Sequence, residues 1–162
     1  MELNFELKNI SEKHKSTLRR IAEKEWGANL VVSLGKTYEI NSLKGWVAVC
    51  HNKVIGFVSY CIENDECEII ALYSEIEDKG VGTALINKVI SFAKNNNCKR
   101  IKLITTNDNI RSIAFYQKRG FTIANINIDG IRKAREIKPQ IPLVGNNGIP
   151  IRDEIEFEIK LK

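Results

Sequence analysis

Residues 75–93 read EIEDKGVGTALINKVISFA. An apolar stripe at helical spacing begins at Val81 and runs through Ala84, Leu85, Val89, Phe92 and Ala93. Gly80 and Gly82 bracket its first residue, where Ser, Thr, Asn or Asp ordinarily caps a helix. A helix start with no capping side chain leaves its first backbone N–H groups bare, and the helix dipole adds roughly half a positive charge there. Glycine also lets a ligand approach the main chain closely. The stretch predicts an anion-binding turn over Lys79, Gly80, Val81, Gly82 and Thr83, of the kind that holds phosphate. Two familiar versions are excluded. The Walker loop needs Lys after its last glycine, and here Thr83 follows Gly82. The dinucleotide fingerprint needs a small residue where Leu85 stands.

Upstream, residues 45–74 read as three strands, with turns at His51-Asn52-Lys53 and Glu63-Asn64-Asp65. This antiparallel meander also contradicts a doubly wound sheet. Downstream, CKRIKLITT (98–106) is a strand reached through a helix of about residues 81–95. Such a crossover makes it parallel to the strand at 66–73. NDNIRSIAFYQKRGF is then a short helix, capped near Asp108 or Asn109 and stopped by Gly120. FTIANINI is a strand, and DEIEFEIKLK alternates Ile155, Phe157, Ile159 and Leu161 as a last strand with one buried face. At the other end, Leu3, Phe5 and Leu7 mark a strand, and Ser11 opens a helix with Leu18, Ile21, Ala22 and Trp26. Residues 27–44 carry no clean period and read as a short helix and a loop. Residues 129–152 hold all three prolines and three of the ten glycines. That segment is expected to be a long functional loop with one helical turn around IRKAREI.

The whole chain, 1–162, is expected to form a single domain, since its 162 residues suffice for one core. A net charge of +5, spread without an arginine-rich run, gives no sign of nucleic acid as a partner. No segment is apolar enough for a signal peptide or a membrane span. Four cysteines without a CxxC pair, and only two histidines, argue against a metal site and for small buried side chains in a reducing cytoplasm.

Two motifs together carry a resemblance. Glu77-Asp78-Lys79-Gly80-Val81-Gly82 resembles the Gln/Arg-x-x-Gly-x-Gly/Ala signature of the GNAT superfamily of N-acetyltransferases. NIRSIAFYQKRGF, Asn109 to Phe121, is similar to that family's second motif, with Ser112 in an alanine place. The resemblance spans most of residues 45–128. It implies an α+β fold with a mixed, mostly antiparallel sheet of six to seven strands, a central splayed parallel pair and about four helices. It implies acetyl-CoA as co-substrate, lying in the splay. Backbone groups near Ile70, Leu72 and Ser74 would pair with the pantetheine arm. Lys79 to Thr83 would hold the pyrophosphate, Asn109 would bond the cofactor arm, and Arg111, Lys118 and Arg119 would stand near its phosphates. Tyr116 would donate a proton to the departing thiolate. Glu77 departs from the pattern, because a carboxylate beside pyrophosphate is repulsive unless it points to solvent or pairs with a cation such as Lys79.

The attacking group would be a primary amine, which needs a base near pH 7. Glu68 and Glu66 share one strand face and are the candidates, Glu68 first; each reads equally well as ordinary strand charge. Acceptor residues are expected from 26–45, with Trp26, Tyr38 and Trp46 offering aromatic surface, and from 129–152. There Arg132, Lys133, Arg135 and Lys138 disfavour a strongly cationic acceptor, and Asp153 and Glu154 are candidates for an ammonium group. A small amine is the expected partner, and a homodimer is left open. The alternative is a noncatalytic acyl-CoA-binding protein with a degenerate pyrophosphate motif.

Overall fold

The computed structural model describes residues 2–161. Strands β1 (Glu6–Asn9), β4 (Lys44–Cys50), β5 (Lys53–Glu63), β6 (Glu66–Ser74), β7 (Arg100–Thr106), β8 (Thr122–Asn127) and β9 (Glu154–Lys160) form one seven-stranded sheet. Its spatial order is β1-β4-β5-β6-β7-β9-β8. All neighbours are antiparallel except β6 and β7. The meander turns are tight because His51, Asn52, Asn64 and Asp65 adopt positive φ, which Asn and Asp tolerate well. The crossover between β6 and β7 is helix α2 (Val81–Asn95), which buries Val81, Leu85, Ile86, Val89 and Ala93 against the sheet. Each of its Val, Leu and Ile side chains contributes roughly 1.5–3 kcal/mol of hydrophobic stabilisation. This face also holds Phe121 and Phe157, both fully buried.

Helix α1 (Glu12–Trp26) covers the opposite face, packing Leu18 and Ala22 beside Phe57. It starts at Ser11, whose N–H donates to His14 Nδ1 at 3.0 Å, and stops at Gly27 in the left-handed region. Helix α3 (Ile110–Lys118) starts at Asn109, whose Oδ1 accepts from the Ser112 N–H at 3.2 Å.

Three expectations are corrected. Residues 27–44 hold no α-helix: β2 (Leu30–Ser33) and β3 (Lys36–Glu39) form a separate two-stranded hairpin, followed by a single 3-10 turn. The loop 129–152 is more structured than one turn, because helix α4 (Gly130–Ile137) runs eight residues. Finally, β9 buries both faces. Phe157 enters the main core, while Glu154 and Glu156, on the polar side of the alternation, are also buried.

Candidate active site

The parallel pair runs together only from Glu66↔Arg100 to Ile69↔Leu103. Beyond that point each strand keeps its outer neighbour, β6 pairing with β5 as far as Ser74 and β7 with β9 as far as Thr106. The inner edges, Ile70–Ser74 and Ile104–Thr106, therefore face one another unpaired. The cause is local. Ser59 pairs with Ala71 and Tyr60 with Ile69, so Ile70 is an extra residue that bends β6 away. Bare strand edges invite an extended ligand that satisfies their N–H and C=O groups.

At the end of this fork lies the glycine turn. Gly80 is the N-cap of α2 with φ +81°, the left-handed region that favours glycine, and no side chain bonds to the helix start. The first helical bond there runs from the Ala84 N–H to the Gly80 carbonyl at 2.9 Å. The preceding amides therefore have no partner within the helix. Open space surrounds the place where a Gly80 Cβ would stand. Gly82 has a different reason: a Cβ there would come within 3.2 Å of the Phe115 ring. It lets α2 and α3 approach. The Arg119 guanidinium lies 3.5 Å over that same ring and donates from Nε and Nη2 to Thr83 Oγ1, at 2.9 and 2.7 Å. Together Leu72, Ser74, Gly80, Thr83 and Arg119 line a cavity of about 210 Å³.

A second cavity, of about 540 Å³, opens on the far side of the fork. Ile70, Thr105, Thr106, Lys138 and Glu154 are among its lining residues, and Leu72, Ser112 and Tyr116 line both cavities. Tyr116 thus stands at the junction. Its ring packs edge-on against Phe115 and Phe121, which fixes its direction, and burial pushes its pKa well above the ordinary tyrosine value despite the opposing charge of Arg119. It stays protonated at any physiological pH.

A forked parallel pair ending at a bare helix start matches what the motifs imply. The model of the acetyltransferase (GNAT) family matches residues 11–121. The chain belongs to this family. It is 46% identical over 144 residues to the uncharacterized protein YdhI of Bacillus subtilis (strain 168), covering 88% of this chain and 90% of that one. Among solved structures it is similar to an IAA acetyltransferase from Bacillus cereus ATCC 14579, with TM-score 0.75, 22% identity, and 98% and 100% of the two chains covered. It is also similar to a GNAT family acetyltransferase from Elizabethkingia anophelis with acetyl-CoA bound, with TM-score 0.73, 20% identity, and 98% and 99% covered. At those identities the likeness is one of fold.

Within this GNAT fold the sequence-predicted residues separate. Ile70, Leu72, Ser74, Gly80, Val81, Gly82, Thr83, Asn109, Arg111 and Tyr116 all line one or both cavities. Lys79 belongs to the turn but is exposed and lies outside that lining. Asn109 uses its Oδ1 to cap α3. The repulsion expected of Glu77 is met by Arg111 rather than Lys79, since the two form an exposed ion pair. Glu66 is committed elsewhere. It accepts from Arg100 at 3.0 Å and meets Lys102 at 3.3 Å, and the Arg100 bond holds its pKa below the ordinary range. Glu68 is buried in a separate cavity behind β2–β3, where Ser33 Oγ donates to it at 2.7 Å and Tyr38 OH at 3.3 Å. Both donors come from the hairpin that local periodicity did not reveal.

Of the aromatic residues expected around the acceptor, Trp26 lines the larger cavity. Tyr38 faces Glu68 instead, and Trp46 is a core residue stacked on Tyr60. Glu154 is one of three carboxylates that share a cavity with Tyr116, beside Glu25 and Asp108. It is 3% exposed, accepting from the Leu34 N–H at 3.1 Å and from Asn127 Nδ2 at 2.9 Å.

The roof of that cavity is the segment after α4. Arg135 donates to the carbonyls of Ile141, Pro142 and Ile151, at 3.3, 2.8 and 2.6 Å. Asn107 donates to the Pro150 carbonyl and accepts from the N–H groups of Arg152 and Asp153. Sequence reading missed both roles, because a side chain that satisfies distant carbonyls leaves no periodic signal.

Proposed function

We propose that the chain transfers an acetyl group from acetyl-CoA to a primary amine of a small acceptor, by direct attack in a ternary complex. The observation that carries this reading is the bare helix start at Gly80 placed at the end of an unzipped parallel strand pair. Family membership supports it, as does the acetyl-CoA bound by the Elizabethkingia anophelis relative in fold. Acetyl-CoA would lay its diphosphate on the amides of Gly80 to Thr83, with Arg119 beside it. Its pantetheine arm would run along the open edge of Ile70–Ser74, and its thioester would reach Tyr116.

The acceptor arrives as an ammonium, because an amine of pKa about 10.4 is protonated near pH 7. Freeing its lone pair costs about 4–5 kcal/mol, so a base is useful. We assign that proton to Glu154, directly or through water, because of the three carboxylates in the cavity that Tyr116 lines Glu25 is exposed and Asp108 is bonded to Thr106 Oγ1, while Glu154 is buried and keeps acceptor sites free. Glu68 stands one wall away, beyond the hairpin, and Glu66 is tied to Arg100. The nitrogen attacks the thioester carbonyl and a C–N bond forms. The C–S bond then breaks, and the leaving thiolate takes the Tyr116 proton. The second proton lost by the nitrogen restores Tyr116. The products are an N-acetyl compound and free CoA.

The second reading, an acyl-CoA binder without turnover, is favoured by one observation. Glu77 and Arg111 form an ion pair in the lining of the cavity beside the turn, which brings a carboxylate near the proposed phosphate site. Calorimetric titration with acetyl-CoA and a thiol-release assay over a panel of small amines separate the two. Binding with thiol release supports acetyl transfer. Binding with no release for any amine supports the second reading. No binding of acetyl-CoA overturns both.

A further inference from the structure

The larger cavity holds a group that the proposed chemistry does not use. Lys138, at the C-terminal end of α4, lines its wall and is only 6% exposed. A lysine on a surface usually carries its ammonium into water while its stem lies flat. At 6% exposure nearly all of this side chain is withdrawn from solvent. Among the described residues Lys138 has no ion-pair or hydrogen-bond partner for its ammonium, and burial alone lowers its pKa. Buried charges are ordinarily paired, so an unpaired one in a cavity wall points to a missing anion.

The other charges around this cavity are Glu25 of α1, Asp108 of the β7–α3 connection and Glu154 of β9. Among the described lining residues Lys138 is the single cation. Asp108 already accepts from Thr106 Oγ1. Glu154 keeps acceptor capacity beyond its two bonds, since a carboxylate offers about four lone-pair sites. Two buried carboxylates, Asp108 and Glu154, and one buried cation, Lys138, line a single cavity, and Lys138 pairs with neither. That is complementary to a molecule bearing both charges itself. The cavity, about 540 Å³, is in the ordinary range for a small-molecule site, and Arg135 holds its roof down by three carbonyl bonds. Both features favour a compact acceptor over a polymer.

We propose that the acceptor is a small amino acid, whose ammonium group Glu154 receives and whose free carboxylate pairs with Lys138. This rests on the acetyltransferase reading for the fate of the amine, but the Lys138 contact stands on its own. Bound in this way, the carboxylate restores to Lys138 the stabilisation that burial removed. It also turns the amine toward the open edge of the fork. An acceptor lacking the carboxylate leaves the ammonium of Lys138 buried and unpaired, which is where the discrimination arises.

The test uses the full chain with CoA present and needs no turnover. The standard amino acids and their primary amides are compared as ligands by thermal shift, against the wild type, Lys138→Met and Lys138→Gln. The expected result is that at least one amino acid raises the wild-type melting temperature while its amide does so at ten-fold or greater higher concentration. Both variants should lose this preference. Because both remove a buried charge at nearly constant length, neither should unfold the chain. A wild type that responds to no amino acid, or that does not distinguish acid from amide, overturns the proposal. So does a preference that survives in both variants. If the preference is found and lost as expected but no thiol is released from acetyl-CoA, the transfer reading fails and the amino-acid site stands.

Discussion

Two loops enclose the site, and they are built in opposite ways. The Lys79–Thr83 turn offers main chain. Its key residue has no side chain, its helix start has no cap, and open space lies above it. The segment from Lys138 to Asp153 offers side chains. Arg135 and Asn107 tie its carbonyls and amides to the rest of the chain, and its own Asn147 donates to the Asp108 carbonyl. A diphosphate carried by every acyl-CoA can be met by backbone amides whatever the neighbouring residues are. An acceptor with its own charges has to be met by side chains at fixed places. On the proposed function, the first loop would be generic for the cofactor and the second particular to the acceptor.

The contrast predicts separable defects. The largest is expected for Arg135→Met, which leaves three carbonyls of the roof without their donor. A bond to a charged donor contributes about 1.5–3 kcal/mol, so kcat/KM for the acceptor should fall roughly 100-fold. Calorimetry should give an unchanged Kd for acetyl-CoA, and a matching loss of cofactor affinity would break the contrast. Next comes Tyr116→Phe, which removes the proposed proton donor but keeps the ring that packs on Phe115 and Phe121. Steady-state kinetics should show a loss of about ten-fold or more in kcat with little change in cofactor Kd. Equal rates would remove Tyr116 from the chemistry. In the first loop, Gly80→Ala adds a Cβ at φ +81°. The strain is about 1 kcal/mol, so acetyl-CoA should bind about five-fold more weakly while the acceptor KM holds.

The smallest effect is on stability. Burial lowers the Lys138 pKa below its ordinary 10.5, so the unfolded chain keeps this proton to higher pH than the folded chain does. The cost to folding is fully present below the folded pKa and fades as pH rises toward 10.5. Lys138→Met should therefore raise the ligand-free melting temperature at neutral pH by about 2–4 °C, or about 1 kcal/mol, with the gain shrinking in alkaline buffer. Glu25 of α1, Asp108 and Glu154 are the other charged groups that share that cavity.

The same contrast explains what was legible in the sequence. The whole of α2, 81–95, could be read because its apolar stripe and its glycines are local signals. The parallel pair, α3 and the last strand followed from periodicity and order along the chain. The β2–β3 hairpin could not be read. Its strands are four residues each, its turn holds Leu34 at positive φ, and its anchors are Glu68 and Glu154, which lie far away in sequence. The candidate bases shifted for the same reason. Two-residue alternation put Glu66 and Glu68 on one strand face but could not reveal Arg100 beside the first or Ser33 and Tyr38 over the second. Lys138 stood out in the sequence only as one basic residue among several, and its burial depends on a roof held by tertiary contacts.

The most direct test of the central claim is amide NMR of the chain titrated with CoA. The account predicts that the backbone N–H signals of Gly80, Val81, Gly82 and Thr83 move together as CoA saturates a single site. Signals along Ile70–Ser74 should move with them. Tight CoA binding that leaves those four amides unmoved would contradict it.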